Sequence, residues 1–244
     1  MGRYDGRSND QLRPIRITTG FTGNAPGSVL IEIGETRVLC TAMIEEKVPP
    51  FIAGSGKGWL TAEYSMLPSS TQQRKKRENY KNGPDGRSIE IQRLIGRSLR
   101  CAVDLSKLGE HTIQVDCDVL QADGGTRTAS ITGGYVAVAI AVNKLLQKQE
   151  LVSDPMLKPV TAISVGIVEN VAMLDLCYLE DSIADADMNI VMTTDGFVEI
   201  QGTGEKAPIG PDALHMLLDM SKTAIDQIRA LQIKAIDRAK EEML

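Results

Sequence analysis

One stretch constrains this chain more than any other. It is an alternating strand that enters a paired-glycine turn and leaves it as a long apolar helix. Residues 111–120 place Ile113, Val115, Cys117 and Val119 on one side and Gln114, Asp116 and Asp118 on the other, the two-residue period of a half-buried strand. Residues 121–125 read as a turn and residues 126–146 as an apolar helix. Its longest apolar run, Ile131 to Val142, falls short of the roughly 20 residues that span a bilayer. No charged-then-apolar signal segment opens the chain, and no membrane partner is expected.

The rest of the chain is organised around that unit. Residues 28–33 and 36–46 are β-branched runs joined by Gly34-Glu35, a hairpin signal. Residues 47–57 form a loop with Pro49 and Pro50, and residues 59–67 a further strand. Residues 68–85 are polar and basic without an apolar period, and read as a flexible loop. A helix follows, with Ile91, Leu94, Ile95, Leu99 and Ala102 at helical spacing and Arg93, Arg97 and Arg100 on one face. Residues 161–168, 171–179, 187–193 and 197–201 read as strands, and Asp195-Gly196 as a hairpin turn. Residues 211 to about 240 form an amphipathic helix. Strands precede a helix in each half. The expected fold is therefore α+β, with two sheet-and-helix layers in one compact domain over residues 1–244.

A chain of 244 residues with 42% hydrophobic and 24% charged content has ample material for a core. Those values exclude a disordered tail protein, a collagen-like fibre and a disulfide miniprotein. Cys40, Cys101, Cys117 and Cys177 are widely spread, which points to a reducing, cytoplasmic setting. Their spacing, with only His111 and His215 to assist, argues against zinc. The net charge of −5 is unevenly distributed: residues 1–127 carry +3 and residues 128–244 carry −8. Between Arg74 and Arg100 there are 9 basic and 3 acidic residues, a stripe able to grip a polyanion or to be a solvated face.

Three segments carry candidate chemistry. In Asp123-Gly124-Gly125-Thr126-Arg127-Thr128, glycines allow close backbone approach and the helix start exposes free N–H groups. Such a site suits an anion, with Thr126 adding a hydroxyl and Arg127 a planar fork; the same residues also suit a plain turn capped by Thr126. The segment Glu180 to Asp187 holds four carboxylates, Glu180, Asp181, Asp185 and Asp187. Crowded carboxylates need a cation or basic neighbours, and oxygen-rich sites suit Mg²⁺ or Mn²⁺; an exposed acidic loop is the alternative. Arg87 sits at the entry of the arginine-bearing helix, either as a second fork for the anion or facing solvent. No phosphate-binding G-x-x-x-x-G-K-[ST] loop occurs.

In order along the chain, Arg3-Tyr4-Asp5-Gly6-Arg7, the run from Gly54 to Pro68, Glu90-Ile91-Gln92-Arg93-Leu94-Ile95-Gly96-Arg97, the run from Asp116 to Ser130, and Glu180-Asp181-Ser182 to Asp187-Met188-Asn189 resemble the ribonuclease PH family. The resemblance continues through Val198-Glu199-Ile200-Gln201-Gly202-Thr203. It implies a fold like domain 2 of ribosomal protein S5 and a homo-hexameric ring, a trimer of dimers. It implies phosphate at Arg87, Gly125, Thr126 and Arg127, and Mg²⁺ with catalysis at Asp181 and Asp187. RNA contacts are implied at Arg74 and Arg77, in a loop facing RNA at transfer-RNA 3′ ends. Two positions depart from the family pattern: Ala53 replaces a basic residue and Ser69 an arginine, with Lys75 and Lys76 as extra charges nearby.

The implied reaction is phosphorolysis: inorganic phosphate, the co-substrate, attacks the last phosphodiester of RNA and a nucleoside 5′-diphosphate leaves. One alternative is a catalytically silent RNA-binding ring subunit, which would lack the arginines or the aspartates. Another is a small-molecule phosphotransferase, which would need a nucleotide-binding glycine loop.

Overall fold

The alternation at residues 111–120 becomes β5 (Thr112–Gln121), with Ile113, Val115, Cys117 and Val119 buried. The computed structural model describes residues 3–77, 83 and 85–242. In it, β1 (Ile15–Thr19), β2 (Gly27–Ile33), β3 (Thr36–Glu45), β4 (Trp59–Met66) and β5 form one sheet in the order β1-β2-β3-β5-β4. β2 and β3 pair antiparallel with Ile33 opposite Thr36, as the Gly34-Glu35 turn predicts. β4 and β5 pair in parallel, which requires a crossover, and α1 (Gly86–Arg100) supplies it. Asp85 caps α1: its carboxylate accepts from Ser88 N at 2.7 Å, and that bond holds the carboxyl below its ordinary range.

The second sheet is antiparallel, built from β6 (Thr161–Val168), β7 (Val171–Leu174), β8 (Ala186–Met192) and β9 (Phe197–Gly204) in the order β7-β6-β8-β9. Between the sheets runs α2 (Thr126–Gln147), and α4 (Pro211–Glu241) packs beside it. The 22-residue α2 does reach the length and apolarity of a membrane span, but 83% of its most apolar window is buried inside the protein. Its residues share one core with Ile31, Cys40 and Val115 of the first sheet, Ala162 and Val191 of the second, and Ile236 of α4. A helix covered on every side is apolar on every side. A second core joins Ile163, Val165 and Ile190 to Leu217, Ile225 and Ile228 of α4. Arg93, Arg97 and Arg100 line one recess along α1, with Arg97 paired to Glu199 at 2.7 Å and Arg100 lying 4.9 Å over the Trp59 ring.

Two elements differ from expectation. β1 falls where no strand is expected, because a five-residue edge strand alternating Ile15 and Ile17 with Arg16 and Thr18 gives little signal. The strand expected over residues 171–179 stops at Leu174. Asp175 adopts a left-handed φ of 53°, and α3 (Tyr178–Asp181) follows, capped by Cys177 and Glu180.

One buried side chain ties the layers together. Gln232 of α4 donates to Thr132 O at 2.9 Å and to Val160 O at 3.0 Å, and accepts from the Thr161 hydroxyl. Gln232→Leu would leave these groups buried and unpaired. It is expected to destabilise the fold by about 2–4 kcal/mol, read as a lower urea midpoint with an unchanged slope.

Candidate active site

The turn between β5 and α2 faces α3 and the start of β8 across a cleft of about 740 Å³. Gly124 and Gly125 both hold left-handed φ, 75° and 67°. Neither position accepts a side chain: a Cβ on Gly124 would lie 2.4 Å from Leu176 O. Gly125, not Thr126, is the helix cap, and among the described residues no side chain satisfies the first N–H groups of α2. The Thr126 hydroxyl, at the cleft wall, lies 2.9 Å from the Tyr64 hydroxyl. Successive amides at the start of a helix form an anion seat.

Two arginines approach this seat. Arg127 Nη1 donates to Glu90 Oε1 at 3.1 Å and to Gln201 Oε1 at 2.7 Å, and Gln201 Nε2 donates to Glu90 at 2.6 Å. This triangle joins α1, α2 and β9 and aims the guanidinium. No partner lies on its Nε or Nη2 among the described residues. Arg87, in the first turn of α1, also lines the cleft, and its guanidinium has no hydrogen-bond or ion-pair partner among the described residues. Both arginines act on Asp181 across the cleft, each favouring its ionised form.

The four carboxylates separate into two pairs. Glu180 is buried on Arg3, which donates from Nε at 2.8 Å and from Nη2 at 2.6 Å. Burial alone would raise its pKa, but the Arg3 and Cys177 hydrogen bonds hold it below the usual range. Asp185 is half-buried, paired with Lys206 Nζ at 2.9 Å and with Asn170 N, and these bonds hold its pKa down. Asp181 and Asp187 have no such cation partner among the described residues, and both line the cleft. Burial, then the neighbouring Asp187 charge, outweigh the arginines and push the Asp181 carboxyl up. Two crowded, unpaired carboxylates are a donor set suited to a hard divalent cation.

The basic loop lies beside the cleft. Arg74, Arg77 and Ser69 line an adjoining recess of about 640 Å³, and Thr71 lines both spaces. Arg74 and Arg77 are exposed, whereas Lys75 reaches into the cleft itself. Ala53 is exposed in the loop between β3 and β4. Lys81 and part of the loop expected over residues 68–85 lie outside the described residues.

The structure thus gathers Arg87, Gly125, Thr126, Arg127, Asp181 and Asp187 in one cleft and places Arg74 and Arg77 next door. Sequence reasoning gave no chemistry to Glu90, Gln201 or Tyr64, which position the arginine and the threonine. Glu90 and Gln201 sit in the quoted Glu-Ile-Gln runs, so the signal was a motif without a mechanism.

Comparison with known proteins agrees with this geometry. Residues 11–143 match the model of domain 1 of the 3′ exoribonuclease family, RNase PH, and residues 158–224 match its domain 2. Ribonuclease PH of Crocosphaera subtropica is 56% identical over 238 residues, 97% of this chain and 98% of that protein. Ribonuclease PH of Corynebacterium glutamicum is 55% identical over 237 residues, 97% of each. A chain of the Archaeoglobus fulgidus exosome with RNA bound to the active site has a TM-score of 0.79 at 25% identity, covering 94% of this chain and 92% of that one. With both halves matched in order and relatives more than half identical over nearly the whole chain, the chain belongs to the 3′ exoribonuclease family of ribonuclease PH.

Proposed function

We propose that the chain is a phosphate-dependent 3′→5′ exoribonuclease, a transfer-RNA nucleotidyltransferase that trims RNA 3′ ends and releases nucleoside 5′-diphosphates. One observation carries the reading. Two arginines and an uncapped helix start face two unpaired carboxylates across a single cleft. A silent RNA-binding subunit would need neither set, and the near-full-length identity to ribonuclease PH favours the enzyme.

The chemistry follows from charge. Phosphate near neutral pH is substantially dianionic, its second pKa being about 6–7, close to that of a phosphate monoester, so it needs little help from a base. The obstacle is bringing one anion onto another. Arg87, Arg127 and the amides at Gly125 and Thr126 offset the charge of the incoming phosphate and hold an oxygen toward the terminal phosphodiester. That oxygen bonds to phosphorus, the bond to the 3′-oxygen breaks, and the 3′-oxygen takes up the proton that the incoming hydrogen phosphate gives up on becoming the terminal group of the diphosphate. Asp181 and Asp187 would hold Mg²⁺, or Mn²⁺ with the same donors. When bound, the cation supplies charge neutralisation on the scissile group and the leaving oxygen. One phosphate linkage replaces another, so the reverse reaction with nucleoside diphosphates is expected.

We further assign RNA backbone contacts to Arg74 and Arg77, with the 3′ end passing Thr71 into the cleft. The two family domains act as one unit, since α2 packs against both sheets. We place the protein in a homo-hexameric ring in the cytoplasm, where its four free thiols stay reduced.

RNA shortening is expected to require added phosphate and to yield nucleoside diphosphates; monophosphates in phosphate-free buffer would sink the reading. Arg127→Ala should raise the phosphate KM by roughly 10- to 100-fold, the scale of a missing charge-assisted fork.

Asp181 gives a pH test. Folding raises its pKa, so its ionised form opposes folding at neutral pH. That penalty fades as pH falls below the ordinary carboxylate range, where the group is protonated in both states. Asp181→Asn should therefore melt higher than the parent protein at neutral pH without divalent cation. The difference should close towards about pH 3–4. Added Mg²⁺ should raise the parent's melting temperature more than the variant's. Calorimetry across pH reads both effects, and a variant that melts lower at neutral pH contradicts them.

Arg74→Ala with Arg77→Ala should weaken RNA binding and flatten its salt slope by about 0.7 for each RNA phosphate that is no longer neutralised, with phosphate KM nearly unchanged. Binding measured over a salt series, with subunit mass in parallel, separates RNA grip from ring assembly.

A further inference from the structure

Behind the phosphate seat lie three polar side-chain atoms, of which two are already committed. A Cβ built on Gly125 would lie 3.2 Å from Arg13 Nη2, 3.3 Å from Thr128 Oγ1 and 3.6 Å from Ser164 Oγ. Arg13 Nη2 donates to Asp175 Oδ1 at 2.7 Å, and the Thr128 hydroxyl donates to Gly125 O at 2.9 Å. Ser164 Oγ is buried with no hydrogen-bond partner among the described residues. A buried hydroxyl left without a partner is costly, and native structures rarely keep one without a role.

Its placement supplies the role. Ser164 lies on β6 opposite Asn189 of β8, and Gly166, the next residue on that face of β6, lies opposite Asp187. Ser164, Gly125, Asp187 and Asn189 all line the same cleft. The hydroxyl therefore sits between the anion seat and the strand that carries a catalytic carboxylate. It is neutral, so it adds no charge repulsion towards Asp187. It both donates and accepts, and so can accept from the P–OH that dianionic hydrogen phosphate still carries, which neither guanidinium nor backbone N–H can do.

We propose that Ser164 is a further phosphate-binding residue, its hydroxyl bonding an oxygen of the inorganic phosphate seated at Gly125, Thr126 and Arg127. This rests on the reading of that turn as the phosphate site.

Ser164→Ala and Arg127→Ala, measured side by side, test it. Ser164→Ala is expected to raise the phosphate KM about tenfold, the scale of one hydrogen bond to a charged group, with the RNA KM unchanged. In phosphate-free buffer the variant should melt no lower than the parent protein, since no protein hydrogen bond is removed. Its gain in melting temperature on adding inorganic phosphate should shrink. A raised phosphate KM in Arg127→Ala alone overturns the role of Ser164 and leaves the seat standing. An unchanged KM in both variants overturns the seat. A lower melting temperature for Ser164→Ala without phosphate means a structural bond was removed, which also overturns the proposal.

Discussion

The buried ion pair between Arg13 and Asp175 underlies the geometry of the cleft. Both side chains are almost fully enclosed, at 4% and 2% exposure. Arg13 grips Asp175 through Nε and Nη2, and Asp175 also accepts from the Arg13 backbone N–H. The same guanidinium donates to Asp123 O, fixing the strand end that leads into the glycine turn. Removing one partner of such a pair typically costs about 3–5 kcal/mol, because the other is left charged and buried. Here the consequence is positional as well. The entry to β1, the glycine turn and the bend that ends β7 all converge on this pair, so it fixes the turn relative to α3.

Around that anchor, charge is sorted with some economy. Arg3 claims Glu180 and Lys206 claims Asp185, each fixing a segment of backbone. What remains in the cleft is unneutralised on both sides: Asp181 with Asp187, and Arg87 with the outward edge of Arg127. An isolated chain gains nothing from leaving such groups unpaired. The arrangement becomes favourable when an anion meets the arginines and a cation meets the carboxylates, which is what the proposed phosphorolysis requires.

Much of this is legible in the sequence. Period-two and helical spacing locate the long elements, because each buries one face or, for α2, all of them. The glycine-rich turn is legible because its chemistry is local: paired left-handed residues at a helix start belong to one short segment. The acidic segment is not separable in the same way. Nothing within residues 180–187 distinguishes Glu180 from Asp181, since the partner that does so, Arg3, lies 177 residues away in sequence. The bend at Asp175 escapes notice for the same reason, its conformation being held by Arg13 across a similar distance. Short edge strands such as β1 carry too few residues for a period to emerge.

The division of labour within the cleft follows chain order. Arg87, the glycine turn and Arg127 all come from the part of the chain that ends with α2, whereas Asp181 and Asp187 come from the part that follows it. Neither stretch holds a complete reaction centre. A ribosome that has emitted everything through α2 has made a polypeptide with both arginines, one of them held by Glu90, but with neither Asp181 nor Asp187 to face them. The complete cleft thus appears late in synthesis, only once β8 has been laid against β6, well after the basic stripe from Arg74 to Arg100 has left the exit tunnel.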